Sequence, residues 1–109
     1  MSTSCIYVST SPDLPGLVHV GAGDDADAHA AALTDTFEVA GAFEVQAELE
    51  TRKAQKVIRD LRDHFSDVAE RAGLIGASPV DVAGYLAEHP DNTSAQMRVS
   101  AGLRRTLGL

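Results

Sequence analysis

The stretch Ile6 to Gly21, IYVSTSPDLPGLVHVG, constrains the chain most, because it encodes two short strands and the turn that joins them. Ile6, Tyr7 and Val8 are β-branched or aromatic and suit a pleated, half-buried surface. Ser11-Pro12-Asp13 and Pro15-Gly16 come next, where fixed proline φ angles and a permissive glycine turn the backbone. Leu17-Val18-His19-Val20 then resumes extended character up to Gly21. The rest of the chain has to supply the layers that cover this hairpin.

At 109 residues the chain fits one domain with a core of its own, without disulfides or a structural metal. The lone Cys5 has no partner for an internal bridge, and its apolar strand setting suggests a packed thiol in a reducing compartment. No segment approaches the roughly 18 consecutive apolar residues of a membrane span, and Met1 to Ser4 lacks the features of a signal peptide. The expected location is therefore cytoplasmic, away from membranes. Charge is distributed unevenly. Residues 1 to 50 hold nine acids and no Lys or Arg, whereas residues 51 to 109 hold seven acids and all nine basic side chains. A face built from the first half repels phosphate backbones, which disfavours nucleic acid as its partner.

After Gly21, Asp24 and Asp25 offer an N-cap to an Ala-rich helix over 26–33, and acids at that end suit the helix dipole. Phe37 to Gln46 alternates apolar and polar residues and reads as a third strand, with Val39, Phe43 and Val45 inward and a bulge or close backbone approach at Gly41. From Glu48 to Ala72 the residues Ala54, Val57, Ile58, Leu61, Phe65, Val68 and Ala69 recur at helical spacing. Lys53, Lys56, Arg59 and Arg62 alternate with acids on the solvated side of that helix. Leu74-Ile75, bracketed by glycines, is a very short edge strand, and Ser78-Pro79-Val80-Asp81 starts a helix to about Glu88. His89 to Thr93 forms a linker, and Ala95 to Leu107 spaces Val99, Leu103 and Leu107 as one helical stripe.

The triplet Cys5-Ile6-Tyr7, followed after eleven residues by His19-Val20-Gly21, resembles the paired motifs of the GIY-YIG nuclease superfamily. The turn sharpens the likeness. In the branch associated with phages and mobile elements the hairpin reads much like YVxxNPxxPGLVKIG, and Tyr7-Val8, Pro12, Leu14-Pro15-Gly16-Leu17-Val18 and Val20-Gly21 stand in those places. The resemblance covers Tyr7 to Leu86. It implies an α+β fold with a small three-stranded mixed or antiparallel sheet and flanking helices over residues 1–89, followed by a linker and C-terminal helix over 90–109.

In the enzymes it resembles, the two motif tyrosines flank the attacking water, a helix Arg binds the scissile phosphate, and a downstream Glu holds one divalent metal. Here Tyr7 keeps the first place, His19 and Gly21 stand in the second motif, and His29 takes the place of the Arg. A neutral His cannot make the bidentate contact of a guanidinium. Gly73 falls where the metal Glu is expected, and Glu70 is the nearest possible substitute. Tyr7, His19, Gly21, His29 and Glu70 are thus the candidate pocket, with no confident catalytic residue and no metal ligand set. These departures imply a catalytically degenerate domain without a cofactor, acting as a non-enzymatic protein-interaction accessory factor in a phage or mobile element. Its candidate interaction residues are Arg98, Val99, Leu103, Arg104, Arg105 and Leu107, and its partner is another protein or a second copy in a homodimer. The alternative is a metal-dependent DNA or RNA endonuclease that uses Mg²⁺ through a rebuilt site containing His19 and Glu70.

Overall fold

The structure, a computed structural model, describes residues 4–70, 73–89 and 97–100. Two strands, β1 (Ser4–Thr10) and β2 (Val18–Gly23), form the expected hairpin. They pair antiparallel, with Tyr7 opposite Gly21 and Ser9 opposite His19. Helix α1 (Ala26–Phe37), strand β3 (Glu44–Thr51), helix α2 (Ala54–His64), strand β4 (Leu74–Ile75), helix α3 (Pro79–Glu88) and strand β5 (Met97–Val99) follow. The fold is α+β, with three α-helices and a five-stranded antiparallel sheet among the described residues, in the order β4-β2-β1-β3-β5. The sheet is thus wider than the three strands expected. Its β4 edge adds the short Leu74–Ile75 strand, and its β3 edge is covered by β5.

Strand β1 lies at the centre and is buried on both faces, which explains its unbroken apolar start. Ile6 and Val8 point to one face and join Val18, Val20, Ala47 and Leu49 in the core. Helices α2 and α3 close that core with Val57, Ile58, Leu61, Val82, Ala83 and Leu86. Side chains alternate along a strand, so Cys5, Tyr7 and Ser9 point to the opposite face, toward α1. Helices α1 and α3 start where their capping residues direct. Asp25 Oδ1 accepts from the backbone N–H of Asp27 and Ala28, and Ser78 Oγ accepts from Asp81 N–H ahead of Pro79.

The third strand begins later than the sequence predicted. Phe37 belongs to the last turn of α1, which Glu38 ends in a left-handed conformation at φ 52°. The intervening chain docks on the hairpin turn instead of extending: Ser11 Oγ donates to the Gly41 carbonyl, and Gly41 N–H donates to Asp13. A Cβ at Gly41 would stand 2.5 Å from Pro12 Cγ, so this is the expected close approach. The irregularity in the ladder lies further on, where Gln46 is the extra residue between the partners of Val8 and Ser9. Ala47 and Leu49 turn inward from β3, and of the three residues expected to face the core only Phe43 is fully buried.

Helix α2 is shorter than the Glu48 to Ala72 span predicted, because β3 uses residues up to Thr51 and a 3₁₀ turn replaces the helix at Ser66–Val68. The largest correction concerns the tail. Met97–Val99, expected within a C-terminal helix, is a strand against β3, with Arg98 opposite Glu48 and Val99 opposite Ala47. Thirteen residues make a marginal helix in water, whereas the unpaired edge of β3 offers backbone hydrogen bonds and a carboxylate for Arg98. Leu103, Arg104, Arg105 and Leu107 lie outside the described residues. No helix among the described residues is long and apolar enough to cross a membrane.

Candidate functional site

Four of the five candidate pocket residues come together on the sheet face beneath α1. Tyr7 projects from β1, His19 and Gly21 lie on β2, and α1 lowers His29 between them. The Tyr7 and His29 rings lie 5.0 Å apart between centroids, and those of His29 and His19 5.8 Å. Phe37 closes the end of the row, 6.1 Å from His19 and 5.6 Å from Phe43. Glycine makes this packing possible. A Cβ at Gly21 would meet Cε1 of His19 at 3.0 Å and Cε1 of His29 at 3.1 Å, and one at Gly23 would meet Tyr7 Cε2 at 3.3 Å. Two small residues on β2 thus leave the shelf on which the three rings rest.

The site is desolvated. Tyr7 is 1% exposed, and burial, followed by the Cys5 thiol and the Glu48 and Asp25 carboxylates, pushes its phenol up to about 12. Burial also lowers the His29 pKa, favouring the uncharged imidazole. His29 Nε2 and the hydroxyl of Ser9, a fully buried residue, have no hydrogen-bond partner among the described residues. At pH 7 the phenol and the imidazole are thus both held in their uncharged forms, so neither brings a fixed charge to this face.

Glu70 is not brought to the rings. Its N–H donates to the Leu74 carbonyl at 2.8 Å, which places it on the far side of β4 from β2. At about 4.8 Å per strand, that is roughly 10 Å from β2 and further still from Tyr7. Its side chain is exposed, and among the described residues no three His, Cys, Asp or Glu side chains gather as a group able to hold a metal ion. Gly73, in the place expected for the metal Glu, has φ +82°, and a Cβ there would stand 2.9 Å from His19 Nε2. The backbone therefore excludes a carboxylate side chain from that position unless His19 moves.

A residue that sequence reasoning had assigned to the solvated side of α2 does reach the site. Arg62 extends from the last turn of α2 to donate from Nη2 to the Val20 carbonyl at 3.5 Å, and Nη2 lies 3.4 Å from the same Gly73 Cβ position. Helical periodicity places Arg62 off the apolar stripe, but it carries no sign that β2 runs past that helix end. Of the interaction candidates, Arg98 Nε pairs with Glu48 Oε1 at 2.7 Å from a largely exposed side chain, and Val99 is half-buried beside it. Compared with family models, with curated proteins and with solved structures, the chain matches none of them.

Proposed function

We propose that the chain is a GIY-YIG-like domain that has lost metal-dependent phosphodiester chemistry and serves as a non-enzymatic protein-interaction factor of a phage or mobile element. The observation that carries this reading is the state of Tyr7. A water-activating phenol has to reach solvent and substrate, yet Tyr7 is 1% exposed and its phenol is pushed up to about 12 beneath α1. The neighbouring imidazole of His29 has no fixed charge to offer a phosphate, and Glu70 stands apart at the β4 edge. The surface supports an interaction role. Eight of the nine acids in the first half, all but Glu48, are exposed on the hairpin turn, α1, β3 and the adjoining loops, which suits a basic protein partner and repels nucleic acid.

The test is incubation with plasmid DNA, single-stranded DNA and RNA in the presence of Mg²⁺ or Mn²⁺. No cleavage is expected at stoichiometric protein. Cleavage that disappears in Tyr7→Phe would overturn this reading in favour of the metal-dependent nuclease.

A further inference from the structure

We propose that an apolar cleft between the hairpin turn and the start of α3 is the docking surface for a partner protein, and that it takes a segment in which a large apolar side chain is flanked by Lys or Arg. Leu14, Pro15 and Leu17 line the cleft from the turn, and Ala77 and Pro79 from the other side, around a volume of about 340 Å³. That is more than twice the roughly 150 Å³ cavity that accepts a benzene ring, so a large side chain fits. The apolar surface continues beyond the cleft. A Cβ at Gly76 would lie 3.8 Å from Val68 Cβ and 3.9 Å from Leu17 Cδ2, so both side chains border Gly76. Val68 is the one large hydrophobic side chain left exposed among the described residues, and Pro15, in the turn, is exposed as well. A contiguous apolar patch that reaches solvent beside a cleft marks an interaction surface.

The polar side chains of the cleft are already engaged within the fold. Thr10 Oγ1 accepts from Gln46 Nε2 at 3.1 Å, Ser11 Oγ donates to the Gly41 carbonyl, and Ser78 Oγ accepts from Asp81 N–H. A small polar ligand would find few convergent groups to orient it, whereas an apolar side chain needs none. Charge then selects among apolar partners. Segments 10–17, 66–69 and 74–81, which build this surface, carry Asp13, Asp67 and Asp81, all exposed, and no Lys or Arg. The positive end of α3 amounts to only about half a charge, which Asp81 in its first turn outweighs. A second copy docked about a two-fold axis would bring the same carboxylates face to face, and nucleic acid would bring phosphates to them. A cationic segment is the occupant that this rim favours.

The proposal rests on the reading of the chain as an interaction protein, and adds where it binds and with what chemistry. The experiment selects displayed random peptides on the full chain and measures the affinity of the enriched sequences as synthetic peptides. Enriched peptides are expected to carry a Leu, Met or aromatic residue beside Lys or Arg, and to bind more weakly as salt rises. Leu17→Ser should weaken them by about tenfold or more, as loss of a central apolar contact does. Pro15→Ser, an exposed change in the turn, should weaken them in the same sense without disturbing the packed hairpin. Asp81→Asn should cost up to about fivefold, the worth of an exposed ion pair. Asp27→Asn, on α1 across the sheet, should leave binding unaltered. Enrichment of acidic peptides, or no enrichment, would overturn the docking surface. Basic peptides weakened by Asp27→Asn and not by the cleft changes would overturn the cleft and leave the interaction reading standing. Self-association of the full chain that Pro15→Ser abolishes would overturn the assignment to a different protein and give the cleft to a second copy. Failure of the interaction reading itself shows elsewhere, as metal-dependent cleavage lost in Tyr7→Phe, and so is separate from failure of the cleft.

Discussion

Gly21 faces Tyr7 across the hairpin, and its missing side chain decides how closely α1 can approach the sheet. In Gly21→Ala the new methyl would press on both His19 and His29, at 3.0 and 3.1 Å, so stability should fall by roughly 1 to 3 kcal/mol, the usual cost of overpacking. Gly84 is the control. It lies inside α3 with nothing within 4 Å of its Cβ position, so Gly84→Ala should gain about 0.5 to 1 kcal/mol from helix propensity. Urea unfolding of both variants should show opposite signs, and a loss in both would mean that the shelf at Gly21 is not special. Tyr7 makes a second, pH-dependent case. Its folded pKa is about 12, above the ordinary tyrosine value of 10.0, so the unfolded chain ionises first. The contribution is complete below pH 10 and is lost as pH rises toward 12. Alkaline unfolding should therefore move to higher pH in Tyr7→Phe, and because burial raises the Tyr85 phenol as well, the late phenolate absorbance of the native protein should shrink in Tyr7→Phe without vanishing. An unchanged alkaline midpoint in Tyr7→Phe would contradict the burial of the ionisable phenol.

Helix α2 holds the core by one face, and Leu61, like Val57, has no exposed surface. Leu61→Ala should cost about 2 to 5 kcal/mol. Val68, 40% exposed in the 3₁₀ turn beyond the helix, should cost no more than about 0.5 kcal/mol when changed to Ala. Equal losses would mean that the apolar stripe runs on through residue 68, as the sequence pattern implies. That contrast marks where the sequence was legible. Apolar spacing identified Ala54, Val57, Ile58 and Leu61, and the Ser78-Pro79 cap fixed the start of α3, because both signals are local. The ends of α2 were not legible, since the apolar stripe begins only at Ala54 and the residues from Glu48 to Thr51 are made strand by tertiary pairing with β1. For the same reason Tyr7, His19, Gly21 and His29 could be named from motif places, whereas Arg62 could not: its contact is with the Val20 carbonyl on β2, three elements earlier in the chain. Met97–Val99 was misread as helix because its stripe of three apolar positions fits a helix, and the β3 edge that captures it is encoded some fifty residues earlier.

At the scale of the molecule, the sheet has two edges to protect, and both are closed by short pieces of chain. Ala69 bridges to Ile75 beyond β4, and β5 lines β3, where Ser100 N–H donates to the Gln46 carbonyl at 2.7 Å. A chain ending at Gln96 would expose the backbone donors and acceptors of β3 along Gln46 to Leu49, and such an edge is a template for pairing with a second copy. The same strand carries Glu44, Glu48 and Glu50, and loss of Arg98 would leave Glu48 without its 2.7 Å partner. Two opposing terms then decide the outcome: edge hydrogen bonds favour association, and like carboxylates on both copies resist it. Salt separates them, because charge repulsion beyond the Debye length disappears when that length falls from about 14 Å at 0.05 M to about 3 Å at 1 M. The shortened chain should therefore sediment as a monomer at low salt and associate at high salt, while the full chain changes little between the two. Its unfolding free energy should also fall, since the cross-strand partners of Ala47 and Leu49 are gone. An unchanged mass at high salt, together with unchanged stability, would mean that β5 neither guards this edge nor contributes to the fold.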